Sequence, residues 1–311
     1  MNETELHLYS LDDKLIGLSY IILSLAAALI YIPCLVAIKT DPQLRKHSCL
    51  RIMFHLGVSD LLHLTGEAIC GYWSLTGYAY VVPRWLNSVV VNLTSNLGWH
   101  SYIVLVNLLA FNRCLVQSNS HYQHILFGPR ATSCWLLACW LVASMWVVFN
   151  LTPWGGTLYH APIWVYYFDA SAPLIEYMRT AALVECTVNQ VGMWTFNAVS
   201  IFKLRQESET KVKCSAIVNL LQLSATQGHS STRKRERSLL VQSLLICLLL
   251  LVTDQYWHYV SALLCPKMGV YCYPLGTYLL ILNSAINPII YLTLNQSVPL
   301  YHLVFLSLQI N

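Results

Sequence analysis

The sequence predicts an all-α fold: a bundle of seven helices that spans a membrane, with the N-terminus outside. Three observations carry this. Of 311 residues, 56% are hydrophobic and only 10% charged, with a mean hydropathy of +0.53. A soluble domain carries about 25% charge, so this chain has too little polar surface to cover two globules. Uncharged runs reach the ~20 residues that cross a ~30 Å hydrocarbon core: 15–38, 85–112, 131–168 and 268–311 contain no Lys, Arg, Asp or Glu. The basic residues, finally, fall mostly on one side once seven spans are drawn. Continuous apolar runs also argue against a β-barrel, whose segments alternate over ~10 residues. The net charge of +4 is too small to argue for nucleic acid, and 13 Gly in an apolar chain exclude collagen and disorder.

The first span is 15–38. The segment before it, Met1 to Asp13, is polar and acidic and carries the sequon Asn2-Glu3-Thr4, a glycosylation acceptor if it reaches the lumen. Acidic flanks and no small-residue cleavage site make the run a signal anchor rather than a cleaved leader. The second span, 50–72, carries Asp60, His63 and Glu67 at i, i+3 and i+7. At ~100° per residue they share one stripe. Two readings stay open: a water-filled cavity with an ion or proton site, or a hydrogen-bonded seam between helices. A metal site is not expected there, because Cys-x-x-Cys or His-x-x-x-His spacing is missing.

In the third span, 86–112, Asn92, Ser95, Trp99, Tyr102 and Val106 lie near the face of Arg113. The fourth is 133–152, ended by Pro153 with Gly155 and Gly156. The fifth, 179–202, holds Glu185. After it, 203–237 is basic, yet Ala216, Ile217, Leu220, Leu221 and Leu223 recur near a helical period, so the helix is expected to run into the cytoplasm and relax at Gln227-Gly228-His229-Ser230. The sixth, 238–262, has Asp254 in the cluster Gln255, Tyr256, Trp257, His258, Tyr259. This suits a ligand vestibule or an interfacial aromatic belt. In the seventh, 274–294, Asn283, Ser284, Asn287 and Tyr291 share an arc, and Pro288 frees the carbonyl of Ser284.

Orientation follows. With the N-terminus outside, 14 of the 18 Lys and Arg lie inside, and only Lys14, Arg84, Arg179 and Lys267 lie outside. The chain thus reads as one domain over 1–311, with an outer N-terminus (1–14), a long inner loop (203–237) and a short inner tail (295–311). No internal repeat is visible, which weakens a transporter built from duplicated halves.

Leu56-Gly-Val-Ser-Asp60, Asn112-Arg113 closing the third span, and Asn283-Ser-Ala-Ile-Asn287-Pro288-Ile-Ile-Tyr291 form a recognisable set. The chain resembles the rhodopsin-like G-protein-coupled receptors over nearly its whole length. Within them it is most similar to the nematode serpentine chemoreceptors of class T. That narrower likeness rests on Tyr31-Ile-Pro33-Cys34, Cys49 with Ile52-Met53, Trp99, Leu109-Ala-Phe-Asn112-Arg113-Cys114-Leu115, Phe127-Gly128 and Tyr291-Leu-x-Leu-Asn295.

The resemblance implies a chemosensory receptor of the plasma membrane. Its partners would be a small-molecule ligand, a heterotrimeric G protein and membrane lipid. It implies that Arg113, with Asn112, couples to the G protein, and that Asn287, Pro288 and Tyr291 move on activation. It makes Asp60, Asn283, Ser284 and Asn287 an internal polar site that holds sodium in many relatives. No other cofactor is expected. Glu67, Trp99, Glu185, Asp254 and Trp257 are candidates for ligand contact.

Departures from the rhodopsin-like pattern matter. Asn112 replaces the usual acid beside the arginine, so the inactive state must be held differently. No Cys lies between Cys70 and Cys114 or between Cys139 and Cys186, so the usual bridge from the third helix to the second outer loop cannot form; Val82 precedes Pro83 where class T favours Cys. Most of the 11 Cys lie inside spans or on the cytoplasmic side and are expected to be free thiols; a short outer-loop disulfide between Cys265 and Cys272 is one alternative. The sixth span lacks Pro, and 292–311 lacks Lys, Arg and Cys, so neither a basic helix nor lipidation is expected there. Three other readings compete. Asp60, His63 and His258 form part of the set in seven-span zinc hydrolases of lipid amides, but 274–294 has no His. A seven-span ligand-gated channel needs its N-terminus inside. A non-signalling receptor relative is the third.

Overall fold

A computed structural model describes residues 10–42, 46–118, 122–220 and 229–294. The sequon at Asn2, the tail 295–311 and the first half of the predicted break, 227–228, lie outside the described residues, whereas its second half, His229 and Ser230, is helical. Seven long helices fill the described chain. The first, α1 (Leu11–Thr40), begins on a capping box: Ser10 Oγ accepts from the Asp13 N–H at 3.2 Å, and Asp13 Oδ2 accepts from the Ser10 N–H at 2.7 Å. The other oxygen of Asp13 accepts from Trp164 Nε1 at 2.6 Å and from the Tyr80 hydroxyl at 3.1 Å. One cap therefore also fastens the helix to two outer loops.

Helix α2 (Ser48–Thr76) stops at Gly77, whose φ of 73° is the left-handed cap geometry that glycine adopts without strain. Helix α3 (Arg84–Gln117) contains a π turn at Asn92–Asn96. It lies at the centre of the bundle and touches α2 and the four helices defined next. At Gly98 it meets α2 so closely that a Cβ would stand 2.8 Å from the Ser59 carbonyl oxygen. Small residues are what permit such approach in membranes. Helix α4 (Pro129–Asn150) starts with Pro at its first position, where the missing N–H costs nothing.

The segment after α4 departs from an all-helical expectation. It forms an antiparallel hairpin, β1 (Thr157–His160) and β2 (Val165–Phe168), in register from Thr157↔Phe168 to His160↔Val165. Aromatic and β-branched residues suit strands, but runs of four are too short to show a period. Helix α5 (Ile175–Leu220) continues 18 residues beyond the predicted 202, in line with the periodicity of 216–220. Helix α6 (His229–Gln255) passes through a π turn, Tyr256–Val260, into Ser261–Met268. It is longer at both ends than 238–262, because hydropathy stops at charge whereas backbone hydrogen bonding does not. Helix α7 (Cys272–Leu294) contains Pro288. The Cys265–Cys272 disulfide joins α6 to α7.

Among the described residues, four helical segments are long and apolar enough to cross a membrane by composition alone: Leu11–Thr40, Arg84–Gln117, Pro129–Asn150 and Val241–Val260. Across the bundle, apolar side chains face two ways. Tyr31, Met53, Leu56, Leu105, Leu109 and Ile246 form the core, whereas Leu29, Leu137, Met145 and Val188 are exposed and face where lipid would lie.

Candidate functional site

Three sites are built along the bundle axis. The outermost is a cavity of about 330 Å³ beneath the hairpin. Its walls come from α3 (Asn96, Trp99, His100), the hairpin (Tyr166, Tyr167, Phe168), α5 (Arg179, Leu183, Cys186), α6 (Asp254, Trp257, His258) and Leu280 of α7. Apolar and aromatic walls with a few polar groups are the make-up of small-molecule sites. Each π turn widens a helix where it meets the cavity, presenting Asn96 on α3 and the Trp257-His258 pair on α6. Of the five expected ligand residues, Trp99, Asp254 and Trp257 line this cavity. Glu67 and Glu185 do not. Glu67 is buried on α2, with its carboxyl 3.5 Å from His63 Nε2 and engaged by the Tyr166 hydroxyl. Glu185 stands behind His100, whose Nδ1 lies 2.7 Å from its carboxyl and whose ring stacks on Trp146 at 4.4 Å. The second-span stripe is therefore buried against neighbouring helices. The gap beside Asp60 and His63 is too narrow to hold a water molecule.

The hairpin roof is fastened without the usual disulfide. Asn87 on α3 clamps strand β1 from both sides: its Nδ2 donates to the Tyr159 carbonyl at 3.0 Å, and its Oδ1 accepts from the Tyr159 N–H at 2.7 Å. Asn92 Nδ2 adds a bond to the Thr157 carbonyl at 3.3 Å, and the Tyr159 hydroxyl meets Ser74 Oγ at 2.6 Å. Arg84 pairs with Asp169 just after β2. Burial alone would raise the Asp169 pKa, but hydrogen bonds from Ser171 and the charges of Arg84 and His160 hold it below the usual carboxylate range. Asn87→Ala strands a buried N–H and C=O, at about 1–3 kcal/mol. It is expected to lower the melting temperature of the purified receptor, with Asn87→Asp, which keeps one bond, in between. An unchanged melting temperature in Asn87→Ala would show that the clamp bears no load.

The middle site gathers at Asp60. The Tyr31 hydroxyl donates to Asp60 Oδ2 at 2.5 Å, Asn287 Nδ2 donates to the same oxygen at 2.8 Å, and Ser284 is a third hydrogen-bonding partner. Asn283 Oδ1 accepts from Tyr102 at 3.3 Å. So the four expected residues converge, with Tyr31 and Tyr102 as members the sequence did not assign. Asn287 Oδ1 is buried without a hydrogen-bond partner. An orphaned amide oxygen beside a carboxyl fits a small cation by chemistry.

The innermost site surrounds Arg113, which is 4% exposed. Its Nη2 donates to Gln242 Oε1 on α6 at 3.2 Å. Asn112, in the place of the usual acid, turns instead to α2, with Nδ2 donating to Ser48 Oγ at 3.0 Å. Tyr291 lies on α7, three residues after Pro288, and its side chain is outside the described residues.

A polar hub between α1, α2 and α7, an outer cavity and an inner arginine, all in one seven-helix membrane bundle, define a G-protein-coupled receptor of rhodopsin-like fold. The chain belongs to the family described as serpentine type 7TM GPCR chemoreceptor Srt, matched over residues 3–308. It is a chemosensory receptor, not an enzyme. Among solved structures it is similar to the crystal structure of squid rhodopsin, with a TM-score of 0.68 and 12% identity over 92% of this chain and 83% of that one. At that identity the likeness is one of fold. No curated protein matches it in sequence.

Proposed function

We propose that this receptor binds a small ligand in the cavity beneath the hairpin and activates a heterotrimeric G protein through the inner ends of the helices around Arg113, at the plasma membrane. The observation that carries the reading is the cavity itself, built from α3, α5, α6 and α7, the same helices that meet at the inner end. Trp99 and Arg113 sit on one helix, about 21 Å apart at 1.5 Å per residue. A ligand that favours one packing of the outer ends shifts the population of the inner ends, provided its affinity differs between the two. The basic segment 203–237 supports contact with the G protein and with anionic lipid. Sodium is the ion the Asp60 hub would hold, with Asp60 and Asn287 as its oxygen donors.

The test is nucleotide exchange on a purified G protein by receptor in lipid nanodiscs, screened against small organic solutes. Trp257→Ala and Trp99→Ala are expected to weaken any active solute at least about tenfold, the scale of 1.4 kcal/mol, while leaving basal exchange unchanged. Solutes whose potency is indifferent to both would place the ligand elsewhere.

A further inference from the structure

We propose that the cavity holds a transition-metal ion of the zinc type between Cys186, Asp254 and His258, and that the ligand is a small Lewis base that completes the ion's coordination. The proposal rests on the cavity being the ligand site and names the chemistry of what enters it.

Cys186 stands on α5; Asp254 and His258 stand on α6. Their ligand atoms all lie within 4.8 Å of one another, with Cys186 and Asp254 buried and His258 partly so. All three face the cavity. His258 Nε2 is 3.4 Å from Asp254 Oδ1. That exceeds the usual N–H···O range of about 2.7–3.2 Å. It equals the separation of about 3.4 Å between two ligands each ~2.05 Å from a tetrahedral ion. The second oxygen of Asp254 is already fixed: Gln190 Nε2 donates to Oδ2 at 2.5 Å. Such an outer partner orients a carboxylate for a metal. Cys186 with Gln190, and Asp254 with His258, are two i,i+4 pairs facing each other across α5 and α6. The π turn at Tyr256–Val260 sets the second pair's direction.

The donor set selects the ion. Calcium and magnesium take oxygen ligands. A thiolate, an imidazole and a carboxylate suit zinc, and three protein ligands leave the fourth position open. Here that position faces the cavity. As the metal–sulfur bond forms, the Cys186 thiol loses its proton to solvent. An incoming amine, imidazole or thiolate would donate its lone pair at the fourth position, displacing the water coordinated there.

Cobalt(II) is the probe, titrated into the full chain in lipid nanodiscs. One equivalent is expected to give tetrahedral cobalt bands and a thiolate-to-cobalt charge-transfer absorption. Cys186→Ser should abolish the charge-transfer absorption, and Cys134→Ser on α4 should leave it intact. Gln190→Leu removes no ligand and should weaken cobalt binding ~10–100-fold. Imidazole, added at saturating cobalt, should shift the bands saturably. A wild-type spectrum without thiolate–cobalt absorption, or one that survives Cys186→Ser, would overturn the site. Bands indifferent to imidazole would overturn the ligand chemistry. None of these readouts contains a G protein, so they stand or fall apart from the ligand-site reading, which the tryptophan variants test through nucleotide exchange.

Discussion

Replacing Arg113 with alanine is expected to abolish nucleotide exchange while leaving the receptor at the cell surface. The guanidinium is buried between α3 and α6, with Gln242 Oε1 accepting one of its hydrogen bonds at 3.2 Å. In place of a charged restraint on its own helix, it has a neutral amide on another. A hydrogen bond to a charged group is worth about 1.5–3 kcal/mol, so this link is strong enough to bias a two-state bundle. It also ties α3 to α6, whose inner ends separate in the proposed coupling. Gln242→Leu should therefore raise basal exchange about tenfold, since 1.4 kcal/mol is a factor of ten. The two variants are opposite in sign, and the double variant should behave as Arg113→Ala. Loss of surface expression in Arg113→Ala, with no separable signalling defect, would reduce the arginine to a packing residue.

Asp60→Ala is expected to remove most receptor from the surface, because it strips the hub of its shared acceptor. Tyr31, Asn287 and Ser284 each lose a partner at Asp60. All stand between helices, where water does not replace it, and a stranded buried group costs about 1–3 kcal/mol. Against a total stability of about 5–15 kcal/mol, the combined loss is large even if the parts do not add. Asp60→Asn keeps an acceptor oxygen and should recover surface expression. If sodium acts here, sodium chloride against choline chloride should lower basal exchange in the parent receptor and leave Asp60→Asn unmoved. Equal expression of Asp60→Ala and the parent would show that the hub is not structural.

Much of this architecture was readable from residues alone. Uncharged runs and basic asymmetry place seven spans. Asp60, Asn283, Ser284 and Asn287 meet as their motif implies, and Cys265 pairs with Cys272. What was not readable depends on partners far apart in the chain. Asn87 looks like any polar residue at a helix start until strand β1 lies beside it. Gln242 carried a signal, a lone amide at the edge of the apolar run 239–252, but nothing in the sequence aims it at Arg113. Cys186 reads as one more membrane thiol, and only the facing of α5 and α6 sets it beside Asp254. Glu67 and Glu185 lie off the cavity for the opposite reason. An intramembrane acid advertises function, yet these two are spent on His63, Tyr166 and His100.

Ligand entry and G-protein coupling require the cavity to face outside and Arg113 to face the cytoplasm. The most direct test is accessibility of tags at the two ends of the chain in intact and permeabilised cells. The N-terminal tag should be reached in intact cells, and the C-terminal tag only after permeabilisation. The reverse pattern would put Arg113 on the wrong face, remove the G-protein reading and bring forward a ligand-gated channel.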